Sequence, residues 1–243
     1  MSKYTKKQYY QLNKFLPGVQ KEFLDLTDEN ITDEKINFYN LNSLGYRCPE
    51  FNTVNISESV FVFGCSNVFG IELEEKDTIS YNLEKLLNRP VINMGIPASS
   101  IEFALFNQIQ LSQMEKPFAV VNLWTSTNRI SYLHDNHVNH IGPWSSKSGH
   151  FSGKHDALLF SIWNEDLNNS KIHSIFCKKT AEALWKDIIH IQGSVFYDTA
   201  KDLEIEYFKP IDHSDKSGHP GPISTKQFAK IIANQIFSLD NNS

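Results

Sequence analysis

The spacing of apolar and polar positions changes several times along the chain, and each change marks an element. Val60-Phe61-Val62-Phe63 is a short β-branched and aromatic run closed by Gly64, the pattern of a buried strand. From Thr78 to Leu87, Ile79, Leu83, Leu86 and Leu87 recur at helical spacing with Glu84 and Lys85 between them. Pro90-Val91-Ile92-Asn93 predicts a second strand, stopped by Gly95 and Pro97. Ser99 or Ser100 then caps a helix from Ile101 to Leu111, with Glu102 set to reinforce the cap. Phe118 to Leu123 is a third strand without polar alternation, as expected where both faces of a sheet are covered. Strands alternating with helices predict an α/β protein with a parallel sheet between helical layers.

That rhythm stops at residues 129–170, which are rich in His, Ser, Asn, Gly and Trp and show little periodicity. A long irregular segment inside a domain is usually functional, and a lid-like insertion over the site is the expectation. Helical spacing resumes from Phe176 to Ile191 through Ala181, Leu184, Trp185 and Ile188. Ile223 to Phe237 reads as a closing amphipathic helix, with Phe228, Ile231, Ile232 and Ile236 on one side. A fourth and a fifth strand are not placed by pattern; Ser194-Val195-Phe196-Tyr197 is one candidate. Residues 1–50 differ in texture: Lys3, Lys6, Lys7 and Lys14 come first, then a crowd of acids among Phe15, Leu16, Val19, Phe23 and Leu24. They predict an N-terminal arm of short helices packed on a main domain of residues 51–243.

With 243 residues and 40% hydrophobic content, the chain buries a full core without disulfide or metal staples. Its 23 basic and 28 acidic residues leave a net charge of −5, which argues against a nucleic-acid or polybasic membrane binder. Cys48, Cys65 and Cys177 are too scattered for a disulfide framework. No apolar run reaches the ~18 residues that cross a bilayer, and the N-terminus lacks the apolar stretch of a secretory signal. A soluble cytoplasmic protein is expected.

Two segments carry candidate chemistry. In Phe63-Gly64-Cys65-Ser66-Asn67, a turn at the carboxyl end of a strand exposes Ser66 at the edge where open parallel sheets bind ligands. Ser66 is a candidate nucleophile whose own N–H can face a developing oxyanion; Cys65 competes for the role, although a thiol among apolar strand residues is more often a buried filler. Near the C-terminus, Asp212-His213-Ser214-Asp215-Lys216-Ser217-Gly218-His219-Pro220-Gly221-Pro222 is a stiff loop before a helix. His219 suits a general base for a serine, with Asp215 to orient its ring.

Together with Asn93-Met94-Gly95-Ile96-Pro97-Ala98, these segments resemble the SGNH (GDSL-type) hydrolases, in order and in their placement over roughly residues 57–237. The resemblance implies a flavodoxin-like three-layer α/β/α sandwich and a carboxylic-ester hydrolase of the esterase or carbohydrate acyl-esterase kind. It also implies a Ser66–His219–Asp215 triad, and Gly95 N–H beside Ser66 N–H as an oxyanion donor. Three departures stand out. Cys65 replaces the family's Asp before the serine. The family's third block supplies an Asn after the third strand, where this chain has Leu123-Trp124-Thr125-Ser126-Thr127-Asn128-Arg129: Ser126 matches by position, Asn128 by chemistry. Asp215 lies four residues before His219, where three is usual, and Asp212 is the alternative acid.

Arg129 and Trp124 are candidate substrate contacts, the first for an anionic group. His134, His137 and His140 recur every three residues, but Asn136, Asn139, Gly142 and Pro143 argue against a regular helix, and no metal or other cofactor is expected. A small-molecule or glycan ester is the expected substrate, with no nucleic-acid partner. The alternatives are a non-catalytic binding protein of the same shape, and a carbohydrate O-acyltransferase or deacetylase.

Overall fold

The computed structural model describes residues 39–134, 137–143, 154–165, 167–214 and 218–241. Its strands are β1 (Val60–Gly64), β2 (Val91–Gly95), β3 (Ala119–Leu123), β4 (Ile130–His134), β5 (His137–Ile141), β6 (Ile189–Ser194) and β7 (Glu206–Tyr207). Its α-helices are α1 (Ser66–Phe69), α2 (Ile79–Leu87), α3 (Ile101–Ser112), α4 (Lys154–Glu165), α5 (Leu167–Leu184), α6 (Tyr197–Leu203) and α7 (Pro222–Asp240). Five strands form a parallel sheet in the order β2-β1-β3-β6-β7, and β4 pairs with β5 as a separate antiparallel hairpin.

Strand side chains alternate between faces, and here both faces are covered. Phe61 and Phe63 share one face with Ile92, Met94 and Val120, packed with Phe103 and Leu111 of α3 and Ala181 of α5. Val60 and Val62 share the other with Val91, Ala119 and Val121, packed with Leu83 of α2 and Phe228, Ile232 and Ile236 of α7. Each such side chain, fully buried, contributes about 1.5–3 kcal/mol. The result is an α/β/α sandwich, as the alternating pattern predicted. Thr78 caps α2 by accepting from Tyr81 N–H, and Ser100, rather than Ser99, caps α3 by accepting from Phe103 N–H. Glu102 does not reach back to that cap; it accepts from Ser131 N–H of β4 at 2.8 Å.

Three expectations are corrected. The segment 129–170 is not wholly irregular: its described part holds the β4–β5 hairpin, α4 and the start of α5. The hairpin pairs with itself and not with the main sheet, so it lacks the continuous apolar run of the central strands. Residues 135–136, 144–153 and 166 lie outside the described residues. The helix expected to run to Ile191 ends at Leu184, and Ile189 and Ile191 belong to β6, where their β-branched side chains lie beside β3. The strand sought at 194–197 ends at its first residue. Ser194 Oγ donates to Trp124 carbonyl and accepts from Phe196 N–H, which turns the chain into α6. The short β7 supplies the fifth strand at the sheet edge. No helix among the described residues is long and apolar enough to cross a membrane.

Candidate active site

β1 runs between β2 and β3, so its carboxyl end opens near the middle of the sheet. There the chain passes through Cys65 into α1, which places Ser66 at the first helical residue, 5% exposed. The approach is close because Gly95, ending β2, has no side chain: a Cβ on it would collide with the Phe69 backbone nitrogen. Gly70, at φ 80°, closes α1 in the left-handed region. The turn beyond it is held by Arg47, a residue in the segment read as an arm. Its guanidinium is buried and donates to the carbonyls of Phe69 (3.2 Å), Gly70 (2.8 Å) and Leu73 (3.0 Å), while Nε pairs with Glu75 at 2.8 Å. Within that turn Glu72 sits at φ 62°, its N–H donating to Tyr39 Oη.

His219 arrives from the loop before α7. Ser214 N–H donates to His219 carbonyl, Gly221 N–H to Asp212 carbonyl, and His213 pairs with Pro220 across the loop. Asp212 locks the loop to α7 by accepting from Ile223 N–H (2.9 Å), Ser224 N–H (2.6 Å) and the Ser224 hydroxyl. Burial opposes its charge, but these donors outweigh burial and hold its carboxyl below the ordinary range. Asp212 is therefore a helix cap, and the alternative that made it the acid for His219 is corrected. Asp215 lies outside the described residues.

The two candidate reacting side chains, 153 residues apart, meet: His219 Nε2 is 2.8 Å from Ser66 Oγ. Burial, with the positive charge of Arg129, lowers the His219 pKa against the opposing pull of Glu72. A ring uncharged at neutral pH can accept the serine proton. Cys65 is 1% exposed, with Ser66 Oγ at 3.8 Å and Asn67 Nδ2 at 3.6 Å from its sulfur. Burial opposes its ionisation, yet Arg129 and donors from Thr125, Asn67 and Ser66 lower its pKa overall.

The candidate oxyanion donors divide. Ser66 N–H donates to no described residue. Gly95 N–H donates to Asn93 Oδ1 at 3.0 Å, while Asn93 Nδ2 donates to Val68 carbonyl, so the Asn93 amide ties β2 to α1 and occupies the N–H expected to face the substrate. Ser126 Oγ donates to Asn128 Oδ1 at 2.8 Å. That contact takes up the Ser126 proton and turns the amide, leaving Nδ2 as the donor end of Asn128. Arg129 lies half-buried, its guanidinium 5.2 Å from the Phe196 ring centroid. Trp124 is corrected from substrate contact to core: it is 2% exposed, and its indole N–H donates to Gln192 Oε1. In the β4–β5 register position 134 pairs with position 137, and position 131 with position 140.

Sequence reasoning missed Arg47 and Thr125, whose hydroxyl is buried beside the Cys65 thiol. The one signal for Arg47 was a lone cation between apolar neighbours, Tyr46 and Cys48; Thr125 gave none.

No protein-family model matches the chain, and no curated protein matches it. Among solved structures it is similar to a Desulfitobacterium hafniense protein described as lipolytic, of the G-D-S-L family, at 13% identity, TM-score 0.48, covering 74% of this chain and 99% of that one. A member of the lipolytic G-D-S-L family from Veillonella parvula matches at 11% identity and TM-score 0.41, covering 74% and 96%. An acetyl xylan esterase from Butyrivibrio proteoclasticus matches at 10% identity and TM-score 0.45, covering 77% of this chain and 66% of its own.

Proposed function

We propose that this chain is an SGNH-type serine hydrolase that cleaves a carboxylic ester. The single observation that supports this most is the 2.8 Å contact between His219 Nε2 and Ser66 Oγ at the carboxyl edge of a parallel sheet. In this reading Ser66 Oγ attacks the acyl carbon as its proton passes to His219 Nε2. Charge gathers on the carbonyl oxygen, for which Ser66 N–H and Asn128 Nδ2 are assigned as donors; Gly95 N–H, which donates to Asn93 Oδ1, joins them only by leaving it. The tetrahedral intermediate collapses, His219 returns its proton to the departing alkoxide, and the acyl group stays on Ser66. Water then attacks the acyl-enzyme with His219 as base, releasing the acid. Asp215 is assigned the role of steadying the His219 cation, and residues 129–170 that of selecting the substrate.

The test is a fluorophosphonate probe together with hydrolysis of p-nitrophenyl acetate. The expected outcome is one covalent label on Ser66, and turnover lowered at least 10³-fold in Ser66→Ala and in His219→Ala, the loss typical when nucleophile or base is removed. An unlabelled protein with equal rates in wild type and Ser66→Ala would replace this reading with a non-catalytic binding protein. A label on Cys65 would move the chemistry to the thiol.

A further inference from the structure

Beside the candidate nucleophile lies a thiol that the proposed reaction does not use. Cys65 Sγ is 3.8 Å from Ser66 Oγ, and Asn67 Nδ2 donates to the same sulfur at 3.6 Å. Thr125 is 2% exposed; its hydroxyl has no oxygen or nitrogen partner and is directed at that sulfur as well. Burial disfavours a thiolate and converging donors favour it. At Cys65 the charge of Arg129 and the donors outweigh burial, so its pKa lies below the ordinary value.

The other two cysteines are placed differently. Burial, with Glu50 and Glu75, pushes the Cys48 pKa up to about 12, which leaves it an inert thiol at neutral pH. Cys177 is buried on α5, where its sulfur lies 3.7 Å from His173 Nε2. Cys65 is itself 1% exposed, so only a small reagent reaches it, and the way in is the one that leads to Ser66. A path that brings an ester to Ser66 Oγ ends 3.8 Å from the sulfur, and hydrogen peroxide is smaller than any ester. The Thr125 hydroxyl points the same way. Buried donors are rarely left without an acceptor, and an oxygen carried on Sγ supplies one.

We propose that Cys65 is an oxidative modification site, which hydrogen peroxide converts to a sulfenic acid that shuts down Ser66. The oxidation stands on the surroundings of the thiol; its effect on turnover rests on the esterase reading of Ser66. The thiolate pair attacks one peroxide oxygen, and the S–O bond forms as the O–O bond breaks. The other oxygen leaves as hydroxide, which takes a proton to become water. Sulfur gives up two electrons and peroxide gains them. The new oxygen accepts from the Thr125 hydroxyl and gives its own proton to Ser66 Oγ. That hydrogen bond engages the lone pair that must attack the acyl carbon, and the added atom fills space the ester needs.

The experiment treats the whole protein with limiting hydrogen peroxide and follows p-nitrophenyl acetate hydrolysis alongside peptide masses. A gain of one oxygen is expected on Cys65 before Cys48, with turnover lost in step with the fraction of Cys65 that carries it. Cys177→Ala should lose turnover as the wild type does, whereas Cys65→Ala and Cys65→Ser should each keep their own untreated rate. The wild-type measurement needs no variant: Cys65 left without the oxygen, or turnover that holds while Cys65 carries it, overturns the proposal. Equal loss in Cys65→Ala overturns it too. Failure of the esterase reading shows separately, as hydrolysis that does not depend on Ser66 while the Ser66→Ala protein still gains the oxygen on Cys65.

Discussion

A serine hydroxyl is a nucleophile only when its proton has somewhere to go, and at His219 the destination is kept empty. The ring is held below its ordinary pKa by burial and by Arg129, with Glu72 pulling the other way. Because the pKa is lowered, the uncharged ring persists to more acidic pH, and in the proposed hydrolase the acidic limb of kcat/KM is expected below the ordinary histidine value of 6.5. Arg129→Gln removes a charge that opposes protonation, so that limb should move to higher pH. The same substitution should make Cys65 less reactive toward iodoacetamide at neutral pH, because Arg129 favours its thiolate. A pH–rate profile and a labelling time course measure the two effects, and an unmoved limb would show that the guanidinium does not tune His219. Much at this scale was legible beforehand: Ser66 and His219 were singled out by the turn and the stiff loop around them. The roles of Gly95, Asp212 and Trp124 were not: the Asn93 amide that takes the Gly95 N–H is held by the carbonyl of Val68, Asp212 caps the helix at Ser224, and Trp124 is claimed by Gln192, contacts that residue type and spacing do not announce.

Among the elements, α1 is too short to hold itself in place, since a single turn fixes several dihedrals for few hydrogen bonds. It is held from outside. Arg47 gathers the carbonyls of Phe69, Gly70 and Leu73 on one guanidinium, and Asn93 ties Val68 to β2. Arg47→Ala strands buried carbonyls, and a loss of about 2–4 kcal/mol in urea denaturation is expected. The Glu75 contact adds little to this, since that carboxylate is 53% exposed. Arg47→Lys should recover only a small part, because an ammonium cannot present a planar fork to several acceptors. An unchanged midpoint in Arg47→Ala would mean that water replaces the guanidinium without cost. The elements themselves were mostly visible in the pattern, β1, β2 and β3 and helices α2, α3 and α7 most clearly. The end of α5 was misjudged because Trp185 and Ile188 continue its helical spacing after the backbone has turned toward β6.

At the scale of the molecule, one helix both covers the sheet and carries the candidate base at its N-terminus. Helix α7 covers a face of the sheet beside α2, and the loop at its N-terminus delivers His219 to Ser66. Thr225 Oγ1 donates to Asp77 carbonyl, which fixes that end of α7 to the segment leading into α2. A defect deep in α7 should therefore cost stability and activity together. Ile232→Ala, at a fully buried position, is expected to lower stability by about 2–5 kcal/mol. In urea, its loss of activity should coincide with its loss of folded signal. Activity lost well before unfolding would show that the His219 loop detaches on its own.

The sequence by itself determined the alternation of strands and helices, the turn that presents Ser66 and the rigid loop that presents His219. These rest on periodicity and on the behaviour of residues a few positions apart, which any stretch of chain expresses locally. Tertiary structure alone decided that the serine and the imidazole share a hydrogen bond, that Asp212 caps a helix, and that Asn93 occupies the Gly95 N–H. Each of those outcomes turns on a few tenths of an ångström between segments brought together by packing of the whole core, and hydrogen bonding at that range is invisible to residue type and spacing.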